Sequence, residues 1–99
     1  MRPPSVDEAI AQANRVATRL RAEGAVGWAN SLESCIAEMR ARYPAKEALL
    51  TIGGWCHAKA LGEAIQAEDW GDEVAQLRDC CVLAFNELEQ TPPDPTPWE

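Results

Sequence analysis

The sequence has few of the residues on which most catalytic and metal sites depend. Its 99 residues include one histidine, and its four cysteines contain no Cys-x-x-Cys spacing. A histidine-based triad must use His57, and on a helix the adjacent Cys56 points about 100° away from it. Sites that need several histidines cannot be built within one chain. Glycine-rich phosphate loops are also missing, so we predict a protein that is not an enzyme and holds no cofactor.

Long apolar runs and basic residues are scarce as well. No apolar run approaches the roughly 18–20 residues that cross a bilayer, and Met1-Arg2-Pro3-Pro4 lacks the apolar region of a signal peptide. Nine basic side chains stand against 16 acidic ones, which gives a net charge of −7. Phosphate contacts require a basic surface, so direct nucleic-acid binding is disfavoured. We expect a cytoplasmic protein that contacts neither membrane nor nucleic acid.

Strand patterns are almost absent, whereas helix formers occur throughout the chain. Apolar residues recur every three or four positions in four segments, which are separated around Gly24, Pro44 and Trp70-Gly71. Short links between amphipathic helices predict an all-α fold, a single-domain antiparallel four-helix bundle over residues 1–90. The alternative is a pair of helical hairpins that completes its core only by dimerising.

Local signals mark the ends of the predicted helices. Ser5, with Glu8 three residues later, matches a capping box at the start of the first helix. Gly24 suits the left-handed position just past the end of that helix. The third helix, from about Ala45 to Ala67, contains Gly53-Gly54, which costs about 2 kcal/mol of helix propensity relative to Ala-Ala. The glycine pair therefore marks either a close helix crossing or a kink.

The third helix carries a broad apolar arc that covers more than half of its circumference. Leu49 and Ile52 lie in this arc, and so do Leu50, Leu61 and the single histidine, His57. We expect this helix to pack on two neighbours, with His57 as a core or boundary residue.

The last nine residues, 91–99, form a separate segment. Four prolines prevent them from continuing a helix and predict a short extended, polyproline-like tail. Trp98 lies near the end of this tail. It either folds back on the bundle or serves as a short docking motif.

The cysteines allow two interpretations. Cys56 and Cys81 fall within apolar stripes, where a free thiol behaves as a small hydrophobic group. The alternative is a thiol-based metal or redox module that uses Cys56, His57, Cys80 and Cys81. Core packing is favoured, because adjacent helical residues rarely bind one tetrahedral ion.

Two large apolar residues and an uneven charge distribution point to a binding surface. Trp55 lies among small or polar neighbours on its helix, and Leu83 lies in a polar row on the fourth helix. Residues 1–46 carry seven basic and five acidic side chains, whereas residues 47–99 carry two basic and eleven acidic ones. The candidate partner-binding residues are Trp55, Glu63, Glu68, Asp69, Asp72, Glu73, Asp79, Leu83 and Trp98.

These patterns favour a non-catalytic protein-binding module whose acidic face contacts a basic protein. An inhibitor, an antitoxin or immunity protein, or a phage-type accessory protein acting on a nucleic-acid-handling enzyme fits this description. Its carboxylates would then stand in for phosphates. The alternative is a homo-oligomer, such as a homodimer, in which the third helices pair through Trp55 beside Ala58 and Gly62.

Overall fold

The computed structural model describes residues 4–42, 46–57 and 59–90, and these residues form five α-helices and no strand. The helices are α1 (Pro4–Ala22), α2 (Val26–Ala41), α3 (Lys46–Trp55), α4 (Leu61–Ala64) and α5 (Trp70–Gln90). The predicted all-α class is confirmed. The predicted tail with Trp98, and also Ala58, lie outside the described residues.

The four longer helices contact one another in a closed ring. Helix α1 packs on α2 and α5, and α3 also packs on α2 and α5, while the short α4 packs on α5. The apolar stripes predicted for the first, second and last helices supply most of the buried core. Its members include Val6, Ile10, Leu20, Leu32, Ile36, Met39, Trp70, Val74, Leu77 and Leu88.

The link between α1 and α2 has the predicted glycine geometry. Gly24 has a φ of +88°, which side chains with a Cβ rarely adopt. Its N–H donates to the carbonyl of Arg21 at 3.2 Å, and the N–H of Ala25 donates to the carbonyl of Leu20 at 2.8 Å. This pair of hydrogen bonds is a Schellman motif, which satisfies two free carbonyls at the helix end.

The predicted third helix over residues 45–67 is wrong, because the chain leaves the helix after Trp55. On one continuous helix, Leu61 and Ile65 lie about 150–170° away from the side that buries Leu49 and Ile52. Ending α3 and starting the four-residue α4 allows all four of these side chains to enter one core. The break therefore recovers apolar burial that a straight helix would lose.

Two members of the predicted apolar arc are consequently exposed. Leu50 is 57% exposed, and His57 faces solvent, where its Nδ1 accepts a hydrogen bond from the Lys59 N–H at 3.2 Å. His57 is thus not a core residue. Gly53 and Gly54 do not lie at a close helix crossing either, because a Cβ added to either glycine meets no atom within 4 Å.

The predicted capping box is also absent. The Ser5 hydroxyl is buried and donates to the Glu87 carboxylate on α5 instead of capping its own helix. A second polar contact between α1 and α5 lies two turns along, where Gln12 Nε2 donates to the Glu73 carbonyl at 3.4 Å. Polar groups at this interface therefore help to set the position of α5 against α1.

Candidate functional site: the outer face of the last helix

Helix α5 divides its side chains among the core, its two neighbours and solvent. Trp70 and Leu88 are buried, and they lie at nearly the same angle around the helix. Asp72, Asp79 and Leu83 lie about 140–180° from that angle, and all three are exposed. Because α1 and α3 cover the two flanks of α5, this outer face is left for solvent or a partner.

Two exposed apolar side chains lie near the middle of this face. Leu83 is 52% exposed, and the adjacent Val82 is 51% exposed. Asp79 stands one turn before Leu83, and Gln76 and Asp72 lie further along the same row. The face thus joins an exposed aliphatic pair to a polar, acidic surround. The outer face of α5 consists of Asp72, Gln76, Asp79, Val82 and Leu83.

Arg19 of α1 holds two of the predicted acidic residues in place. Its guanidinium donates two hydrogen bonds to the Asp69 carboxylate, at 2.7 and 2.9 Å. The Arg19 Nη1 also lies 3.2 Å from an oxygen of Glu73. Hydrogen bonding to Asp69 raises the pKa of Arg19, and the same bonds hold the pKa of the Asp69 carboxyl below its usual range. Asp69 and Glu73 are therefore already paired within the chain.

The other predicted acids are more accessible. Glu63, Glu68 and Asp72 are exposed, and none of them forms an ion pair with a basic side chain in the described part of the chain. Asp79 lies 3.7 Å from the neighbouring Arg78, in an exposed and weak pair. The carboxylates free for a partner extend from the turn before α5 along its outer face.

Trp55 belongs to a different part of the molecule. It is half-buried, and its ring contacts that of Trp28 on α2 edge to face, with 5.7 Å between the ring centroids. Such aromatic pairs stabilise helix packing beyond the apolar area they bury. The structure therefore does not bring Trp55 together with the acids of α5, and Gly62, its proposed neighbour in a self-pairing surface, is half-buried.

The cysteine side chains are in environments that favour the neutral thiol. Burial raises the pKa of Cys56 to about 11 and that of Cys81 to about 12, and it also raises the pKa of Cys35 and Cys80. The Cys56 thiol donates to the Ile52 carbonyl at 3.2 Å. Since the thiolate is the nucleophile and the metal ligand, these surroundings oppose both kinds of chemistry. Within residues 4–42, 46–57 and 59–90, no three His, Cys, Asp or Glu side chains form a group suited to a metal ion.

Val82 was missed in the sequence-based selection of site residues. Its signal is its position beside Leu83, outside the repeat that defines the buried stripe of α5. Arg19 was also missed, and no local signal could have found it, because its partner Asp69 lies 50 residues away.

Comparisons with known proteins add no assignment: the chain matches no family model, no curated protein and no solved structure. Of the helices described, none is both long enough and apolar enough to span a membrane.

Proposed function

We propose that this chain is a non-catalytic protein-binding module of the cytoplasm. Its outer face, together with Glu63 and Glu68, contacts a basic protein, and the long helices act as an antiparallel four-helix bundle that presents this surface. An inhibitor, antitoxin, immunity or phage-type accessory role against a nucleic-acid-handling enzyme fits a partner with a phosphate-binding surface. Trp98 remains a candidate second contact.

The observation that carries this proposal is the exposed pair Val82 and Leu83 beside Asp79. Protein interfaces commonly place an apolar centre inside a polar rim, and truncating central residues costs the most affinity. Val82 and Leu83 are adjacent and half-exposed, and they supply such a centre on the solvent side of α5. The neighbouring carboxylates supply the polar rim, and their negative charge favours a positively charged partner.

Charge complementarity selects a basic partner. Residues 47–99 contain eleven acidic side chains and only two basic ones. Arg19, which belongs to the first half of the chain, pairs with two of these acids, Asp69 and Glu73. The exposed carboxylates that remain create a negative field beside Leu83. Such a field accelerates the encounter with a positive surface and makes binding sensitive to salt.

The test is an affinity purification from the native host, followed by calorimetry with the basic protein recovered. The double variant Asp72→Lys/Asp79→Lys and the single variant Leu83→Ser alter the outer face. Glu38→Lys and Val26→Ser are the matched controls, because they change an exposed acid and an exposed aliphatic residue on α2. We expect each outer-face variant to weaken binding at least about tenfold, which corresponds to about 1.4 kcal/mol.

The controls must leave affinity within about twofold of the unmodified protein. Equal losses of affinity in the α2 control variants and the α5 outer-face variants would contradict the proposal. An affinity that does not fall with added salt would also contradict it. Recovery of an acidic partner would also contradict it.

A further inference from the structure

A groove separates α3 from α5 on the side of α3 that faces away from Trp55. It has a volume of about 290 Å³. Leu50, Val82 and Phe85 give it apolar walls, and Gly53 and Gly54 line it from α3. An added Cβ at either glycine points into open space, so no side chain of the described residues fills this part of the groove.

One charged group lies at the end of the groove nearer the start of α5. The Arg78 side chain lines it there, while Phe85 and Asn86 line it towards the end of α5. The only ion pair of Arg78 among the described residues is the 3.7 Å contact with Asp79, which is long and exposed. The groove therefore suits a large apolar group followed by a carboxylate.

We propose that residues 91–99 of this same chain occupy the groove, with the Trp98 indole between Leu50 and Val82 and the Glu99 carboxylate at Arg78. The segment leaves α5 after Gln90, next to the Phe85 end of the groove. A chain that turns back along α5 thus meets Phe85 first, Val82 next and Arg78 last. This order matches an apolar residue followed by an acidic one.

The length of the segment is sufficient. Val82 lies eight residues before Gln90, about 12 Å along the helix axis. Trp98 lies eight residues after Gln90, and extended polyproline-like chain covers about 25 Å in eight residues. The difference leaves enough chain for the turn. Four prolines in nine residues also reduce the conformational entropy that is lost when the segment docks.

The docked segment covers Val82 and leaves Leu83 exposed, so the apolar centre offered to a partner is then Leu83 together with the outer edge of the Trp98 indole. This docking involves one chain alone and does not depend on the existence of a basic partner. The groove and the outer face share an edge at Val82, so the segment also limits how far a partner can extend towards α3.

The test uses the full chain labelled with 5-fluorotryptophan, which gives one ¹⁹F resonance for each of its four tryptophans. Trp98→Phe assigns the resonance of Trp98. We expect this resonance to differ from that of a peptide of residues 91–99 and to be independent of protein concentration. Gly53→Leu places a side chain in the groove and should move the resonance to the peptide position, whereas Gly27→Leu on α2 should leave it unchanged.

A charge exchange supplies the second measurement. Arg78→Glu and Glu99→Arg should each shift the Trp98 resonance towards the peptide position, and the double variant should restore it. A peptide-like resonance in the unmodified protein overturns the proposal, and so does a resonance unaffected by Gly53→Leu in a protein that keeps its helix content. A resonance that changes with protein concentration assigns the groove to a second copy and equally overturns it.

Discussion

Arg19 and Asp69 form a two-point contact between the last turn of α1 and the residue that precedes α5. The Arg19 guanidinium also lies over the Trp70 ring, 5.6 Å from its centroid. Trp70 is buried, and its indole N–H donates to the Leu61 carbonyl at 2.5 Å. These contacts join α1, α4 and the start of α5, and they fix the position from which the acidic outer face begins.

The Arg19–Asp69 pair predicts an acid-dependent loss of stability. Since the folded pKa of Asp69 is below its ordinary value of 3.8, the pair stabilises the fold above about pH 4 and is lost as pH falls through the folded pKa. Asp69→Asn should lower the urea midpoint slightly at pH 7, and this difference should shrink as the pH falls below 4. Asp72→Asn, in the same region but without an ion pair among the described residues, is the control. An Asp69→Asn effect that is equal at pH 7 and pH 2 contradicts the prediction.

The Trp70 contact predicts an unequal response to two similar substitutions. Trp70→Phe removes the indole N–H that donates to the Leu61 carbonyl and leaves a space in the core, so we expect the free energy of unfolding to fall by about 2–4 kcal/mol. Trp28→Phe alters a half-buried ring, and its expected cost is about 1 kcal/mol. Guanidinium denaturation followed by circular dichroism measures both values. Equal losses would show that the hydrogen bond to Leu61 contributes little.

Helices α1, α2 and α5 could be predicted because each repeats apolar residues on one side over its full length. The end of α1 was also predictable, since only Gly24 suits the left-handed position there. The break after Trp55 was not, although Gly53-Gly54 indicated a weak point. Local periodicity placed Leu50 and Leu61 in one arc, and only the packing of α3 and α4 on the rest of the core decides that Leu50 is exposed and Leu61 buried.

The candidate site was predictable to a similar extent. Leu83 departs from the buried stripe of its own helix, so sequence alone identified it as exposed. The pairing of Arg19 with Asp69 and Glu73 depends on α1 lying against α5, and no local pattern contains that information. The same holds for Trp55, whose ring meets Trp28 of another helix.

The glycines predict opposite effects of the same substitution. Gly54 is helical, and an added Cβ meets nothing, so Gly54→Ala should raise the free energy of unfolding by about 0.5–1 kcal/mol. Gly24 has a φ of +88°, so Gly24→Ala should lower it by about 1–2 kcal/mol despite equally open space. Urea denaturation of both variants tests this pair. A destabilising Gly54→Ala would mean that the space beside Gly54 is occupied, which contradicts this prediction.

The four thiols should differ in reactivity by position in the fold. Cys81 is buried with a pKa of about 12, so only about one molecule in 10⁴ carries its thiolate at pH 8. Cys80 is half-buried on the α1 side of α5, and a reagent can reach it without unfolding. Brief iodoacetamide treatment at pH 8, followed by peptide mass spectrometry, should label Cys80 at least about tenfold faster than Cys56 or Cys81, and urea should equalise the rates. Faster labelling of Cys56 than of Cys80 in the folded protein would contradict the burial described for α3 and α5, and would favour the thiol-based alternative.

The two buried thiols also predict a loss of stability at high pH. Because the raised pKa values belong to the folded state, Cys56 and Cys81 stabilise the fold below about pH 9 and lose that contribution as pH rises through 11 to 12.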